Sequence, residues 1–182
     1  MKLLEPEGLV SRPILDRVKE SLFNILFSRG LPQGAMVADL FAGVGSLGLE
    51  ALSRGAAFVS FVEMDSGIAA ILQRNIEKTG FAVNSKVIRA NVFTVGAIVE
   101  PGRPRYNLVF VDPPYAATKD VNEASPLAGL MRKLADQVTT DVLVVVRTER
   151  KTELLDRYGS LSVIDRRQYG KMALTFLGTK DT

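Results

Sequence analysis

The sequence predicts an α/β fold: a seven-stranded, mostly parallel sheet wrapped by helices and ending in a C-terminal antiparallel hairpin. Three observations predict it. Short continuous apolar runs alternate with amphipathic segments, the pattern of strands buried on both faces and joined by helices. Glycines and prolines punctuate that alternation at the element ends. The last two extended segments follow one another with no room for a helix between them, which makes them a hairpin.

Arg12-Pro13 opens the first helix, in which Val18, Leu22, Phe23, Leu26 and Phe27 recur at helical spacing until Gly30 and Pro32 end it. Met36 to Phe41 is the first strand, followed by a glycine-rich turn and a helix from about Ser46 to Ser53 that stops at Gly55. Phe58 to Val62 is the second strand, and a helix from Gly67 to Thr79 stops at Gly80. Val83 to Ala90 is the third strand, and a short helix near Val95 to Val99 breaks at Pro101-Gly102. Asn107 to Val111 is the fourth strand and runs into Asp112-Pro113-Pro114-Tyr115. A helix near Ala124 to Ala135 leads to the fifth strand, Asp141 to Val146. Lys151 to Tyr158 reads as a short helix stopped by Gly159. Leu161 to Tyr169 and Lys171 to Leu177 then form the hairpin, hinged at Gly170.

At 182 residues the chain is expected to form a single domain, with residues 1–35 as an N-terminal segment and helix and 36–182 as the α/β core. There are no cysteines and no histidines. This excludes disulfides, thiolate or imidazole metal sites and His-dependent triads, so no metal is expected. Chemistry must come from carboxylates, amides, hydroxyls, backbone groups or a cofactor. No apolar run approaches the roughly 20 residues that span a bilayer, and Met1 to Arg12 lacks the apolar stretch of a signal peptide. The expected compartment is therefore the cytoplasm. A net charge of +3 does not by itself imply a nucleic-acid partner. Arg147, Arg150, Lys151, Arg157, Arg166, Arg167 and Lys171 crowd the last quarter, where a solvated surface is the plain explanation for most of them.

Asp39-Leu40-Phe41-Ala42-Gly43-Val44-Gly45-Ser46-Leu47-Gly48 lies between the first strand and its helix. Gly43, Gly45 and Gly48 fit the GxGxxG spacing of nucleotide-binding turns, and Glu63 follows Gly43 by 20 residues, where an acid accepts ribose hydroxyls. Asp39 separates two kinds of nucleotide. Next to a pyrophosphate its charge is repelled, whereas a ligand with a positive amino group, such as the methionine end of S-adenosylmethionine, is attracted. Asp39 could instead simply cap the turn. Asn91, after the third strand, is placed to meet an adenine amine or to form a turn.

Asp112-Pro113-Pro114-Tyr115 is the most informative tetrapeptide. Its prolines fix the backbone and remove two donors, so the Asp112 carboxylate and the carbonyls offer acceptors only. A nucleobase –NH₂ donates two hydrogen bonds into such a set, which frees its lone pair for in-line attack on a sulfonium methyl group. Positioning and electrostatics then carry the rate without a strong base. Tyr115 offers a face on which a flipped base stacks.

The run from Asp39 to Ala56, with Asp112-Pro113-Pro114-Tyr115, resembles the bacterial 16S rRNA guanine-N2-methyltransferase (RsmD) family. The opening Arg12-Pro13-Ile14-Leu15-Asp16-Arg17-Val18-Lys19-Glu20-Ser21 through Leu26 resembles that family's N-terminal signature, and Tyr169-Gly170 fits its hairpin. The resemblance implies a Rossmann-like class I methyltransferase fold, S-adenosylmethionine as donor, and a guanine of 16S rRNA in a partly assembled small subunit as target. It implies that Asp39, Phe41, Ala42, Gly43 and Gly45 meet the cofactor after the first strand, and Glu63, Met64, Asn91 and Val92 after the second and third. It gives Asp112, Pro113, Pro114 and Tyr115 the target base. Arg12 and Arg17 either contact RNA phosphate or support the first helix. The family's basic, glycine-rich segment before Arg-Pro is replaced here by Met1 to Ser11, with Lys2 as its one basic residue, and Leu15 stands where a hydroxyl residue is common.

Other classes remain in view. A DNA or RNA adenine amino-methyltransferase uses the same tetrapeptide, but no insertion large enough for a DNA-recognition domain is visible. A nicotinamide-dependent oxidoreductase rests on the glycines alone and leaves the Pro-Pro turn unexplained. A non-enzymatic RNA-binding module has little support from a net charge of +3.

Overall fold

The computed structural model describes residues 3–5 and 16–179. In chain order the elements are α1 (Asp16–Ser28), β1 (Met36–Leu40), α2 (Ser46–Ser53), β2 (Phe58–Glu63), α3 (Ser66–Thr79), β3 (Ser85–Arg89) and α4 (Val92–Val95). They continue with β4 (Tyr106–Val111), α5 (Pro126–Gln137), β5 (Val138–Glu149), β6 (Arg157–Tyr158), β7 (Leu161–Tyr169) and β8 (Met172–Gly178). Short 3₁₀ turns occupy Ala82–Asn84 and Tyr115–Thr118.

The strands form one sheet in the order β3-β2-β1-β4-β5-β8-β7-β6. β1 to β5 run parallel, while β8 is antiparallel to both β5 and β7. The apolar runs explain the central strands: β1, β2, β4 and β8 are buried on both faces almost throughout. Edge strand β3 carries the exposed charges Lys86 and Arg89, as an edge should. One face of the sheet packs on α1, α2 and α3 through residues such as Leu22, Phe23, Leu49, Phe61 and Phe110. The other packs on α5 through Leu127, Met131, Val109 and Val144. The buried face of α1 belongs to the same core as the sheet.

Caps set the helix boundaries. Asp65 accepts from the Ile68 N–H at 2.9 Å and starts α3, which Gly80 ends in a left-handed conformation. Ser125 accepts from the Ala128 N–H at the start of α5, with Pro126 in its first turn.

Three expectations are corrected. The sheet has eight strands rather than seven, because the two-residue β6 pairs with the start of β7. Lys151 to Tyr158 is not a helix. The Arg166 guanidinium on β7 takes the Arg150 and Thr152 carbonyls at 2.6 and 2.9 Å, and the Leu155 N–H turns to the Tyr158 hydroxyl at 2.9 Å. Long-range partners thus claim the groups that a helical ladder would use, and tertiary contact overrides local propensity. The short helix expected near Val95 to Val99 lies earlier, at Val92–Val95. There the Asn91 side chain caps its start and the Gln137 amide donates to the Val95 carbonyl at its end.

Gly48 shows why α2 lies so close to the sheet. A β-carbon there would come within 2.3 Å of the buried Phe61 ring and 2.9 Å of an Asp39 carboxylate oxygen. The third glycine of the turn is thus fixed by helix–strand packing. A Gly48→Ala variant is expected to lose about 1–3 kcal/mol of stability, measured as a lower urea midpoint. A wild-type midpoint would show that the contact has slack.

Candidate active site

The strand order reverses between β1 and β4: β2 and β3 lie to one side, β5 and the hairpin to the other. In open α/β sheets ligands bind beyond the carboxyl ends of strands at such a switch point. Here that point joins the glycine turn to Asp112-Pro113-Pro114-Tyr115. Their backbones meet directly, since the Asp112 N–H donates to the Leu40 carbonyl at 3.2 Å.

Asp39 is 1% exposed, and its Oδ2 accepts the Gly48 N–H at 2.8 Å. Gly45, the residue before α2, supplies no side-chain cap, so Asp39 caps the helix from the strand. The capping alternative is therefore realised. Burial pushes the Asp39 carboxyl well above the ordinary carboxylate range, opposed by the Gly48 N–H and reinforced by the charges of Asp112 and Glu63.

Glu63, at the end of β2, bridges two turns: one oxygen accepts the Gly43 N–H and the other the Asp65 N–H, both at 2.9 Å. Each oxygen keeps a further lone pair for a ligand hydroxyl. Gly43 has φ +55° and open space where a β-carbon would be, so a ligand can approach its backbone. Gly45 has φ +89° and a β-carbon position 2.5 Å from Leu72. Ala42 is buried, and its N–H bonds the Val62 carbonyl at 3.1 Å. Phe41 holds φ +60°, a strained conformation for an aromatic residue, with its ring edge-on to Phe93 at 5.1 Å. Met64 is 65% exposed beside Glu63. Asn91 turns its oxygen back to the Phe93 N–H at 3.0 Å, the turn-forming alternative, and Val92 is buried under it.

Pro113 is buried and Pro114 exposed. The Pro114 carbonyl accepts the Ala117 N–H at 2.9 Å, and the Tyr115 carbonyl accepts the Thr118 hydroxyl at 3.0 Å. Among the described residues nothing donates to the Pro113 carbonyl. The acceptor set is thus narrower than the sequence suggested: Asp112 and the Pro113 carbonyl, with the half-buried Tyr115 beside them. Asp112 has its own partner, the Arg147 Nε on β5 at 2.5 Å, the two side chains being 17% and 12% exposed. Burial raises the Asp112 carboxyl, and the Arg147 charge and hydrogen bond pull it back.

Sequence reasoning missed Arg147, Phe93 and Asn75. Arg147 was grouped with surface cations, and the only available signal was its place one residue past the strand register that aligns Val111 with Val146. Asn75 is fully buried on α3, and its amide holds the Leu4 and Val44 carbonyls at 3.0 and 3.1 Å, which steadies the glycine turn. Arg17 is exposed on α1, and Arg12 lies outside the described residues. A cavity of about 420 Å³ lined by Phe23, Phe27, Leu31, Pro32 and Arg54 sits before the start of β1, at the opposite end of the sheet from the two motifs.

A family model described as conserved hypothetical protein 95 matches residues 1–178. The chain belongs to this family. It is the RsmD family that the motifs resemble. One relative is the ribosomal RNA small subunit methyltransferase D of Escherichia coli K12, 42% identical over 114 residues. That alignment covers 63% of this chain and 54% of the relative, about half its length. The Haemophilus influenzae protein of the same description is 34% identical over 156 residues, covering 85% of this chain and 76% of the relative. The solved structure of yhhF from Escherichia coli superposes with a TM-score of 0.79 at 33% identity, covering all of this chain (100%) and 93% of that one. The architecture is the Rossmann-like methyltransferase fold with a C-terminal antiparallel pair.

Because the folded state raises the Asp39 pKa above its unfolded value of 3.8, the folded state binds that proton more tightly. Its contribution to stability is best below that value and is lost as pH rises toward the folded pKa. Asp39→Asn keeps an acceptor for Gly48 but cannot ionise. Its melting temperature relative to wild type is expected to climb between about pH 4 and neutrality. A difference that stays constant with pH would show that Asp39 ionises without cost.

Proposed function

We propose that this chain is an S-adenosylmethionine-dependent methyltransferase that modifies the exocyclic amine of a guanine in small-subunit ribosomal RNA, as a single domain of residues 1–182. The observation that carries this reading is the junction at the switch point, where the amine-accepting Asp112 and Pro113 abut the glycine turn. The names of the Escherichia coli and Haemophilus influenzae relatives favour ribosomal RNA as the substrate class. In this reading the substrate is a partly assembled small subunit in the cytoplasm, in which a base to be flipped is still within reach. No described helix is long and apolar enough to cross a membrane.

The residues present suit the donor. Buried Asp39 supports an ammonium, Glu63 offers lone pairs to ribose hydroxyls, and Asn91 stands where an adenine edge would end. Gly43 and Gly45 shape the cradle in this reading, with Phe41, Ala42, Met64 and Val92 beside it. When bound, S-adenosylmethionine supplies an electrophilic methyl group on sulfur. The protein's task is to hold the amine. Asp112 and the Pro113 carbonyl accept its two N–H bonds, Tyr115 presents a ring to the base, and the Asp112 carboxylate stabilises the positive charge developing on nitrogen. A proton leaving that nitrogen is held first at Asp112. Arg12 and Arg17 serve RNA phosphate in this reading.

Calorimetry is expected to show binding of S-adenosylmethionine and none of NAD. Asp112→Ala should lower methyl transfer by about 10²–10⁴-fold with cofactor affinity largely kept, and an equal loss of affinity would remove Asp112 from its role. Tyr115→Ala should cost more turnover than Tyr115→Phe, because stacking needs the ring and not the hydroxyl; matching defects would contradict stacking. Mass-spectrometric mapping of ribosomal RNA from a strain lacking the gene decides between guanine and adenine.

A further inference from the structure

We propose that Arg147 is a positioning residue: it pins one oxygen of Asp112 so that the other faces the target amine, and it sets the guanidinium charge against that carboxyl on the side of the sheet that also holds Asp39. The proposal rests on the methyltransferase reading of this site and adds a residue to it.

Arg147 lies on β5, on the same face as Leu143 and Val145, which pack toward α1 to α3. Its Nε reaches Asp112 Oδ1 at 2.5 Å, a charge-assisted contact between two largely buried groups. A carboxylate offers two equivalent oxygens and can rotate. Engaging one of them from β5 fixes the plane and leaves Oδ2 as the oxygen available to an amine.

The charge matters because of what surrounds it. Among the described residues, the charged groups facing Asp112 are Arg147 from β5 and Asp39 from β1. Glu63 from β2 faces Asp39 in turn, while Lys19 of α1 is turned to Glu50 and Asp16. Without the guanidinium, two carboxyls share a buried corner with no cation among the described residues, and like charges so placed retain a proton. A protonated Asp112 carries an O–H donor, which meets the amine's N–H donors head-on. Arg147 therefore preserves the acceptor-only character that the tetrapeptide needs. An ion pair with a purely structural role would not touch the pH dependence of turnover.

The test compares wild type, Arg147→Met and Arg147→Lys for methyl transfer from S-adenosylmethionine to unmethylated small-subunit particles, from about pH 6 to pH 9. Arg147→Met loses both the fork and the charge, so its plateau should fall as in Arg147→Lys and its acid limb of kcat should also move to higher pH, adding a further loss of about tenfold to a hundredfold at the low end, with KM for the methyl donor unchanged. Arg147→Lys keeps the charge but not the planar fork, so its acid limb should stay in place while its plateau falls. A limb unmoved in Arg147→Met, or a loss uniform across pH, overturns the proposal. Should Arg147→Met not fold, Arg147→Lys decides: a lowered plateau supports the pinning role, and a wild-type profile overturns it. Carbon-13 titration of the Asp112 carboxyl in the cofactor-free chain gives a readout independent of turnover. Its midpoint should rise in Arg147→Met and return in Arg147→Lys. If wild type transfers no methyl group, the methyltransferase reading fails, and the titration still decides what Arg147 does to Asp112.

Discussion

The parallel pairing of β1 with β4 is the constraint from which the site follows. Two motifs more than sixty residues apart in sequence become neighbours because β4 enters the sheet beside β1, on the side away from β2. The register aligns Leu40 with Val111, so the two strands end level and Asp112 emerges beside the glycine turn. Alternation does the rest. Val109 and Val111 face α5, Phe110 faces Phe23 of α1, and Asp112 continues on the side of Phe110. A slip of one residue would reverse every one of these assignments and turn Asp112 away from Asp39 and Arg147.

Around that junction the fold tolerates costs it avoids elsewhere. Asp39 is a buried acid, Phe41 has a left-handed backbone, and Asp112 and Arg147 are a largely buried ion pair. Each persists because rigid neighbours over-determine it. Asp39 is bracketed by strands aligned with Phe61 and Phe110, Phe41 is braced by Phe93, and the turn is steadied by Asn75. Concentrating unfavourable groups at one end of central strands that are otherwise mainly apolar marks a place shaped for something other than stability.

Most of the framework was legible in the sequence because its signals are local. Apolar runs gave the central strands, and Gly80 and Gly170 marked turns whose geometry depends on a few adjacent residues. The Lys151–Tyr158 segment was misread because its outcome depends on Arg166 and Tyr158, and helical spacing carries no record of such partners. The same reason hid Arg147. Its role is set by register between β4 and β5, and in the sequence it is one cation among seven. Asp39, Asp112 and the Pro-Pro turn were readable as chemistry, because their residue types restrict what can stand opposite them. How many of their atoms are already engaged by the protein was not. The Pro114 carbonyl is taken by Ala117, and Asp39 is shared with Gly48.

That last sharing bears on which nucleotide the glycine turn suits. In a dinucleotide site the free N–H groups opening the helix face a pyrophosphate, and the positive end of the helix dipole helps hold it. Here the third N–H of α2 is consumed by Asp39, whose carboxylate stands under the turn where that anion would need positive potential. A pyrophosphate would meet a negative group when Asp39 is ionised and, in either state, a helix terminus with one of its N–H groups already taken. A ligand bringing an ammonium group instead offsets, by opposite charge, the desolvation that raises the Asp39 pKa, and leaves the cap intact. The glycine spacing is common to both kinds of site; the carboxylate four residues upstream of Gly43 is what tells them apart.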